Sequence, residues 1–231
     1  IIFMLTNNIT WDFKDKTCLI VGGSRGIGKA IVNSFTEAKA NVISIDSSNC
    51  DISLPKEIDV FFNNLNCNID ILVNVAAINF CKKIESISLE EWDDVLNVNL
   101  RGSFYVIKRA LEKIPTGGRI VNVSSIAGRN RSLVSGVHYT SSKAAIIGLT
   151  RQLAFELGPK SINVNAVCPS QTLTEMLQQS MSEQQIKDLS NSIPLKRIAL
   201  VREQVNPILF LCSAEASYIT GAVLDVNGGQ L

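Results

Sequence analysis

Histidine is nearly missing from this chain: of 231 residues, only residue 138 is one. A zinc site built on several imidazoles, or a Ser-His-Asp triad assembled from separate positions, is nearly excluded on that ground. The six cysteines (18, 50, 67, 81, 168 and 212) never form a C-x-x-C pair, so no metal site or dithiol motif is expected. Several lie inside apolar runs, Cys18 in TCLIV and Cys168 in NAVCP among them. That is the habit of buried, reduced thiols and points to the cytoplasm. An excess of one charge is also lacking. The formal net charge is +1 with no block of like sign, which leaves no footprint for nucleic acid or an acidic membrane surface. No apolar run approaches the roughly 18 residues that span a bilayer. The opening Ile1-Ile2-Phe3-Met4-Leu5 is too short for a signal-peptide core, and residues 1–13 read as an N-terminal extension.

What is present describes an ordinary globule, with 46% hydrophobic and 19% charged residues and enough apolar surface for a sizeable core. Strand-like runs fall at Thr17–Gly22, Asn41–Ile45, Ile69–Val75, Arg119–Val123, Ile162–Val167 and Ala222–Val226. Helical patterns separate them: Ile27–Ala38, Leu54–Leu65, a long helix from the capping box at Ser88 to about Lys113, residues 136–157, and Glu203–Ala214. Residues 172–197, with Met176, Leu177, Met181 and Leu189, read as a polar, mobile stretch with short helices. The strands are continuous apolar runs, not alternating ones, as in a parallel sheet covered on both faces. One doubly wound Rossmann-type α/β domain of three layers is expected. With only Ser-Ser-Asn-Cys between Asp46 and Asp51, the element after strand two is nearly deleted, since four residues make barely one helical turn. Six strands are expected, or seven with a vestigial one at Cys50–Asp51.

The stretch Gly136–Leu157 carries the chemistry. Ala144, Ile147, Leu149, Leu153, Ala154 and Leu157 suggest its apolar stripe, and Tyr139 and Lys143 stand one turn apart on one face. Ionising an unperturbed tyrosine at pH 7 costs about 4 kcal/mol. An ammonium at ~4 Å and an effective dielectric near 20 returns a similar amount, so the pair can act as a general acid/base near neutrality. Gly22-Gly23-Ser24-Arg25-Gly26-Ile27-Gly28 joins the first strand to the first helix. Glycines there let the backbone approach a pyrophosphate held at a helix N-terminus. Asp46, twenty residues after Gly26 at the end of strand two, is placed to hold an adenosine ribose.

Taken in order, VGGSRGIG, Asp51-Ile52, NVAA (Asn74 to Ala77), Asn99 in LNVNLRG, Ser125 in IVNVSSIAG, YTSSK and the closing DVNGG resemble the short-chain dehydrogenase/reductase family in its single-domain form. The resemblance runs from about Lys14 to Gly229. It implies an NAD(P)-dependent oxidoreductase acting on a secondary alcohol or ketone. Tyr139 would be the acid/base, Lys143 would lower its pKa and hold the nicotinamide ribose, Ser125 would bond the reacting oxygen, and Asn99 would anchor water behind the lysine. Cofactor contacts would come from Gly22, Ser24, Arg25, Gly26, Ile27, Gly28, Asp46, Asp51, Ile52, Asn74 and Ala76, then from Tyr139 and Lys143, and from Pro169, Thr172 and Thr174. Departures from the family pattern are Val21 in place of threonine, NVAA in place of N-N-A-G, Ser170 after Pro169, and one extra residue between Ser125 and Tyr139. Asp46 favours NAD, because a 2′-phosphate would meet a carboxylate, while Arg25 pulls toward NADP. A 3-oxoacyl-thioester reductase using NADPH and a catalytically silent dinucleotide-binding scaffold are the alternatives. A sugar-nucleotide epimerase would need a longer C-terminal region. The partner is a small alcohol or ketone, with no nucleic acid and no membrane. A homotetramer, or a homodimer, is expected through the outer faces of helices 89–113 and 138–157.

Overall fold

In a computed structural model, the described residues are 10–132, 134–175, 177 and 182–231; Met176 and Met181 lie outside them, as does the start of the expected N-terminal extension. Six parallel strands form one sheet: β1 (Thr17–Val21), β2 (Asn41–Ile45), β3 (Ile71–Asn74), β4 (Arg119–Val123), β5 (Asn163–Pro169) and β6 (Val223–Val226), in the order β2-β1-β3-β4-β5-β6. Side chains alternate across a strand, and here both faces are covered. Leu19, Val21, Leu72, Ile120 and Val164 pack against α2 (Pro55–Asn64), α4 (Ser103–Ala110) and α6 (Val137–Leu157). Cys18, Ile20, Val73, Val121 and Val167 pack against α1 (Gly26–Glu37) and α8 (Val201–Cys212). That two-sided burial is why the strands read as unbroken apolar runs.

Cys50–Asp51 is not a strand. Asn49 and Cys50 fold back onto the Asp46 carbonyl through backbone bonds of 3.1 and 2.8 Å, and the Cys50 side chain turns into the core at 1% exposure. A buried anchor in so short a loop leaves no extended segment to pair with β2. The long helix after Ser88 is also interrupted. It runs as α3 (Leu89–Leu96), opens into a π turn over Asn97–Gly102, and resumes as α4. The Ser88 hydroxyl accepts the Glu91 amide at 3.1 Å, half of the expected capping box, while the Glu91 carboxylate turns to Lys82 instead of the Ser88 amide. Within residues 172–197 a ten-residue helix, α7 (Glu183–Ser192), begins at a Ser182/Gln185 capping box. Nearer the start, Phe13 is 5% exposed and packs on Phe35 with ring centroids 4.8 Å apart, so Phe13, with Trp11 packed against it, belongs to the core beside α1.

Candidate active site

Chain order along the sheet reverses between β1 and β3, and an open α/β sheet places its ligand crevice at that switch, beyond the carboxyl ends of the strands. The expected residues gather there. Gly22 follows β1 with φ +95°, a region costly for any residue with a Cβ. A Cβ on it would meet the Ala76 backbone at 2.6 Å. At Gly28 a Cβ would lie 2.0 Å from the Gly22 carbonyl oxygen, so the turn closes only with glycine at both places. The turn opens α1, whose N-cap residue Arg25 makes no side-chain cap bond and whose first turn holds no acidic residue. Its leading amides are therefore available to an anion. Ser24 and Arg25 are exposed beside them, Ile27 is half-buried, and the Thr174 methyl lies 3.6 Å from where a Gly26 Cβ would be.

Asp46 ends β2 half-buried. Its Oδ1 accepts both the Ser48 hydroxyl (2.6 Å) and the Ser48 amide (2.8 Å). These bonds hold its carboxyl below the ordinary range, so it is an anion at neutral pH. Asp51 caps the next turn by accepting the Ser53 amide at 2.8 Å. The Ile52 side chain packs into the core at 6% exposure. At the tip of β3, Asn74 donates to Asn122 at 3.1 Å while its own Oδ1 is buried without a partner. An orphaned acceptor and a glycine-lined turn at an open helix N-terminus fit a dinucleotide cofactor. Thr172, 6% exposed, donates to the Ser170 carbonyl just beyond Pro169, the last residue of β5.

Across the switch point stand β4 and α6. Ser125 follows β4, N-caps the short helix α5 (Ile126–Arg129), and accepts the Ala127 amide at 3.1 Å. Burial pushes the Tyr139 phenol's pKa upward, and the nearby Ser125 hydroxyl opposes that shift without cancelling it. Lys143 lies one turn from Tyr139 as expected, but its ammonium bonds a different partner. Lys143 is 3% exposed and donates to the Val123 carbonyl at 2.7 Å, with Nζ 5.7 Å from the Tyr139 ring centroid. A buried ammonium seeks the nearest carbonyl, and burial pushes its pKa down to about 8. The expected lowering of the tyrosine pKa is therefore absent from this arrangement. Lys143 is within reach to supply it only by leaving Val123.

Asn99 sits inside the π turn, completely buried. It is bracketed by Ile78, accepting that residue's amide at 2.8 Å and donating to its carbonyl at 2.9 Å. A second donation, at 3.1 Å, reaches the Ser142 hydroxyl, which donates in turn to the Tyr139 carbonyl at 2.7 Å. Asn99 thus reaches the Tyr139 backbone through the Ser142 hydroxyl. Sequence reasoning missed Ser142, along with a buried ladder from Asn122 to Thr150 (3.0 Å) that ties β4 to α6. The signal was available: Ser142 and Thr150 lie on the face of α6 that also carries Lys143, Ile146 and Ala154, all buried. Of the expected apolar stripe, Ile147, Ala154 and Leu157 are buried and Leu149 and Leu153 pack against the core, while Ala144 is exposed. Among the described residues no cluster of His, Cys, Asp and Glu is placed to hold a metal ion.

A glycine turn at the switch point, a carboxylate just past β2 and a Ser-Tyr-Lys group together mark a Rossmann-type oxidoreductase. The comparisons narrow the class. Residues 45–230 match a family model described as enoyl-(acyl carrier protein) reductase. The chain is 37% identical to the 3-oxoacyl-acyl-carrier-protein reductase of Aquifex aeolicus, over 93% of this chain and 97% of the relative. It is 34% identical to an NAD-dependent glycerol dehydrogenase of Listeria innocua, over 95% of each. A crystal structure of a 3-oxoacyl-acyl-carrier-protein reductase from Brucella melitensis with bound NAD superposes with a TM-score of 0.85, at 30% identity, covering 95% of this chain and 93% of that one. The chain belongs to the short-chain dehydrogenase/reductase family and is an NAD(P)-dependent oxidoreductase.

Proposed function

We propose that this enzyme interconverts a secondary alcohol and its ketone, with Tyr139 exchanging the proton and NAD as the preferred cofactor. The observation that carries this reading is the placement of Tyr139 with Lys143 buried one turn further along α6, its Nζ 5.7 Å from the Tyr139 ring centroid. When bound, the nicotinamide supplies or accepts the hydride. Ser125 holds the substrate oxygen and Tyr139 gives or takes its proton. Lys143 bonds the nicotinamide ribose and, when turned from Val123, favours the phenolate. Asn99, through Ser142, keeps the first turns of α6 in place. The glycine turn receives the pyrophosphate, with Thr172 and Thr174 bordering the nicotinamide end and Asp51 near the adenine.

NAD is preferred because Asp46 is anionic where a 2′-phosphate would stand, and the 47–50 loop holds no Lys or Arg to neutralise it. Steady-state rates test this, with NADH against NADPH for reduction of an acetoacetyl thioester and NAD+ against NADP+ for oxidation of glycerol and an aldohexose. NAD is expected to lead by at least about tenfold, and Asp46→Ala to erase that lead. A preference for NADPH, or unchanged selectivity in Asp46→Ala, would give control to Arg25. It would also favour the second reading, a 3-oxoacyl-thioester reductase like the Aquifex and Brucella relatives. A homotetramer is proposed from the outer faces of α3, α4 and α6. Leu89 and Phe155 are more than four-fifths exposed there, and Leu96, Leu100, Phe104 and Leu149 line an open hollow of about 430 Å³. Four of six free cysteines are buried, which supports a cytoplasmic setting.

A further inference from the structure

The chain's one histidine lies immediately before Tyr139, and the reaction as proposed does not use it. His138 is completely buried at the second position of α6. Amides in the first turn of a helix have no carbonyl within the helix to bond. Thr140 is the first residue here to reach one, at Gly136, 3.1 Å away. The Tyr139 amide falls one residue short, and His138 Nδ1 accepts it at 2.8 Å. The imidazole thus replaces the missing carbonyl. Ring placement is close: a Cβ on Gly136 would lie 2.4 Å from His138 Cε1, and the Phe80 ring centroid is 6.1 Å away.

An accepting Nδ1 has consequences for the other nitrogen. In the neutral ring the proton then resides on Nε2. Nε2 faces the Glu91 carboxylate, 3.7 Å from Oε1, and neither of these two buried atoms has another partner. The other oxygen of Glu91 accepts Lys82 at 2.6 Å, and the Glu91 amide is held by Ser88. The Lys82 bond is the main reason that the Glu91 carboxyl stays below its ordinary range, so an anion faces Nε2–H. On its far side, Tyr139 is gripped again, through its carbonyl by Ser142.

We propose that His138 is a positioning residue for Tyr139, fixed as its Nε2–H tautomer by Glu91, so that Lys82, Glu91 and His138 together set the entry turn of α6. This rests on the reading of Tyr139 as the acid/base. The tautomer can be read without activity, because tag-free ¹⁵N-labelled protein contains a single imidazole. The NMR spectrum of that imidazole should show Nδ1 unprotonated and Nε2 protonated in the wild type, with mixed tautomers in Glu91→Gln. A wild-type Nδ1–H tautomer overturns the proposal, whether or not any variant folds. For activity, His138→Asn keeps an acceptor where Nδ1 stood and His138→Leu does not. Reducing an acetoacetyl thioester, His138→Leu should lose at least about tenfold in kcat with KM and NADH affinity within about threefold, and His138→Asn should recover to within about threefold. Equal loss in both variants, or none in His138→Leu, sinks the proposal. Full turnover by Tyr139→Phe would sink the acid/base reading instead, and the tautomer result would still stand.

Discussion

Two helices begin at the carboxyl end of this sheet, and they begin differently. Both α1 and α6 follow a glycine-bearing turn, have no side-chain bond from the N-cap residue and carry no acidic residue in the first turn. At α1 the chain leaves the leading amides to whatever binds. At α6 it closes the Tyr139 amide with its own imidazole. The physical problem is the same at both, since a helix N-terminus presents donors without partners and the positive end of a dipole. What differs is the purpose proposed for each end. An anion must come and go at α1, so the donors stay open. At α6 a phenol must be held still, so the donor is satisfied internally.

Breaking the α6 end at its reactive group should have the largest effect. Tyr139→Phe removes only the proton-carrying oxygen and should cut turnover by about 10³-fold. Cofactor affinity, measured by fluorescence titration, should remain within about threefold. Rates near wild type would show that the phenol is not the acid/base. Next in size is a break at α1. Gly22→Ala forces φ +95° on a residue with a Cβ and drives that Cβ into the Ala76 backbone. It should cost about 1–3 kcal/mol of stability on denaturant unfolding and weaken NAD binding by at least about tenfold. Unchanged NAD affinity would detach the glycine turn from cofactor binding.

The smallest effect sharpens the comparison through pH. Lys143 is buried with its pKa pushed down to about 8, whereas in the unfolded chain it titrates near 10.5. Below pH 8 both states hold the proton and the folded one bears the full desolvation cost. Between 8 and 10.5 the unfolded state holds more of it, so this residue makes stability rise with pH. Lys143→Met should therefore be more stable than wild type at pH 7 by about 1–2 kcal/mol, after losing the bond to Val123. That advantage should fade as pH climbs through the same window. Parallel wild-type and variant stability curves would show that burial of Lys143 carries no such cost.

Much of this was legible before any coordinates. Unbroken apolar strands separated by helical periods implied a parallel sheet covered on both sides, and the glycine turn follows the first of them at the sheet's switch point. Four residues between Asp46 and Asp51 left no room for a helix. Tyr139 and Lys143, four apart, had to share a face. These inferences rest on local geometry, where spacing along the chain becomes distance in space.

What spacing could not decide was which partner each side chain meets. Lys143 bonds Val123 because β4 passes beneath α6 with a carbonyl at 2.7 Å, nearer than the phenol. Asn99 is buried inside a π turn and bracketed by Ile78, twenty-one residues earlier in the chain. The α6 stripe holds except at Ala144. The inward face also carries Ser142, Lys143 and Thr150, which offset their burial with bonds to Asn99 and to backbone and side-chain groups of β4. His138 bonds an amide only one residue away, yet its tautomer depends on Glu91 of α3, brought against it by the packing of two helices. The sequence by itself determined the sheet, its deletion and the order of the motifs, because hydrophobic period and chain length act locally. Only the tertiary structure decided protonation, bond partners and which helix ends are open, because a buried polar group settles on the nearest partner that the fold brings to it.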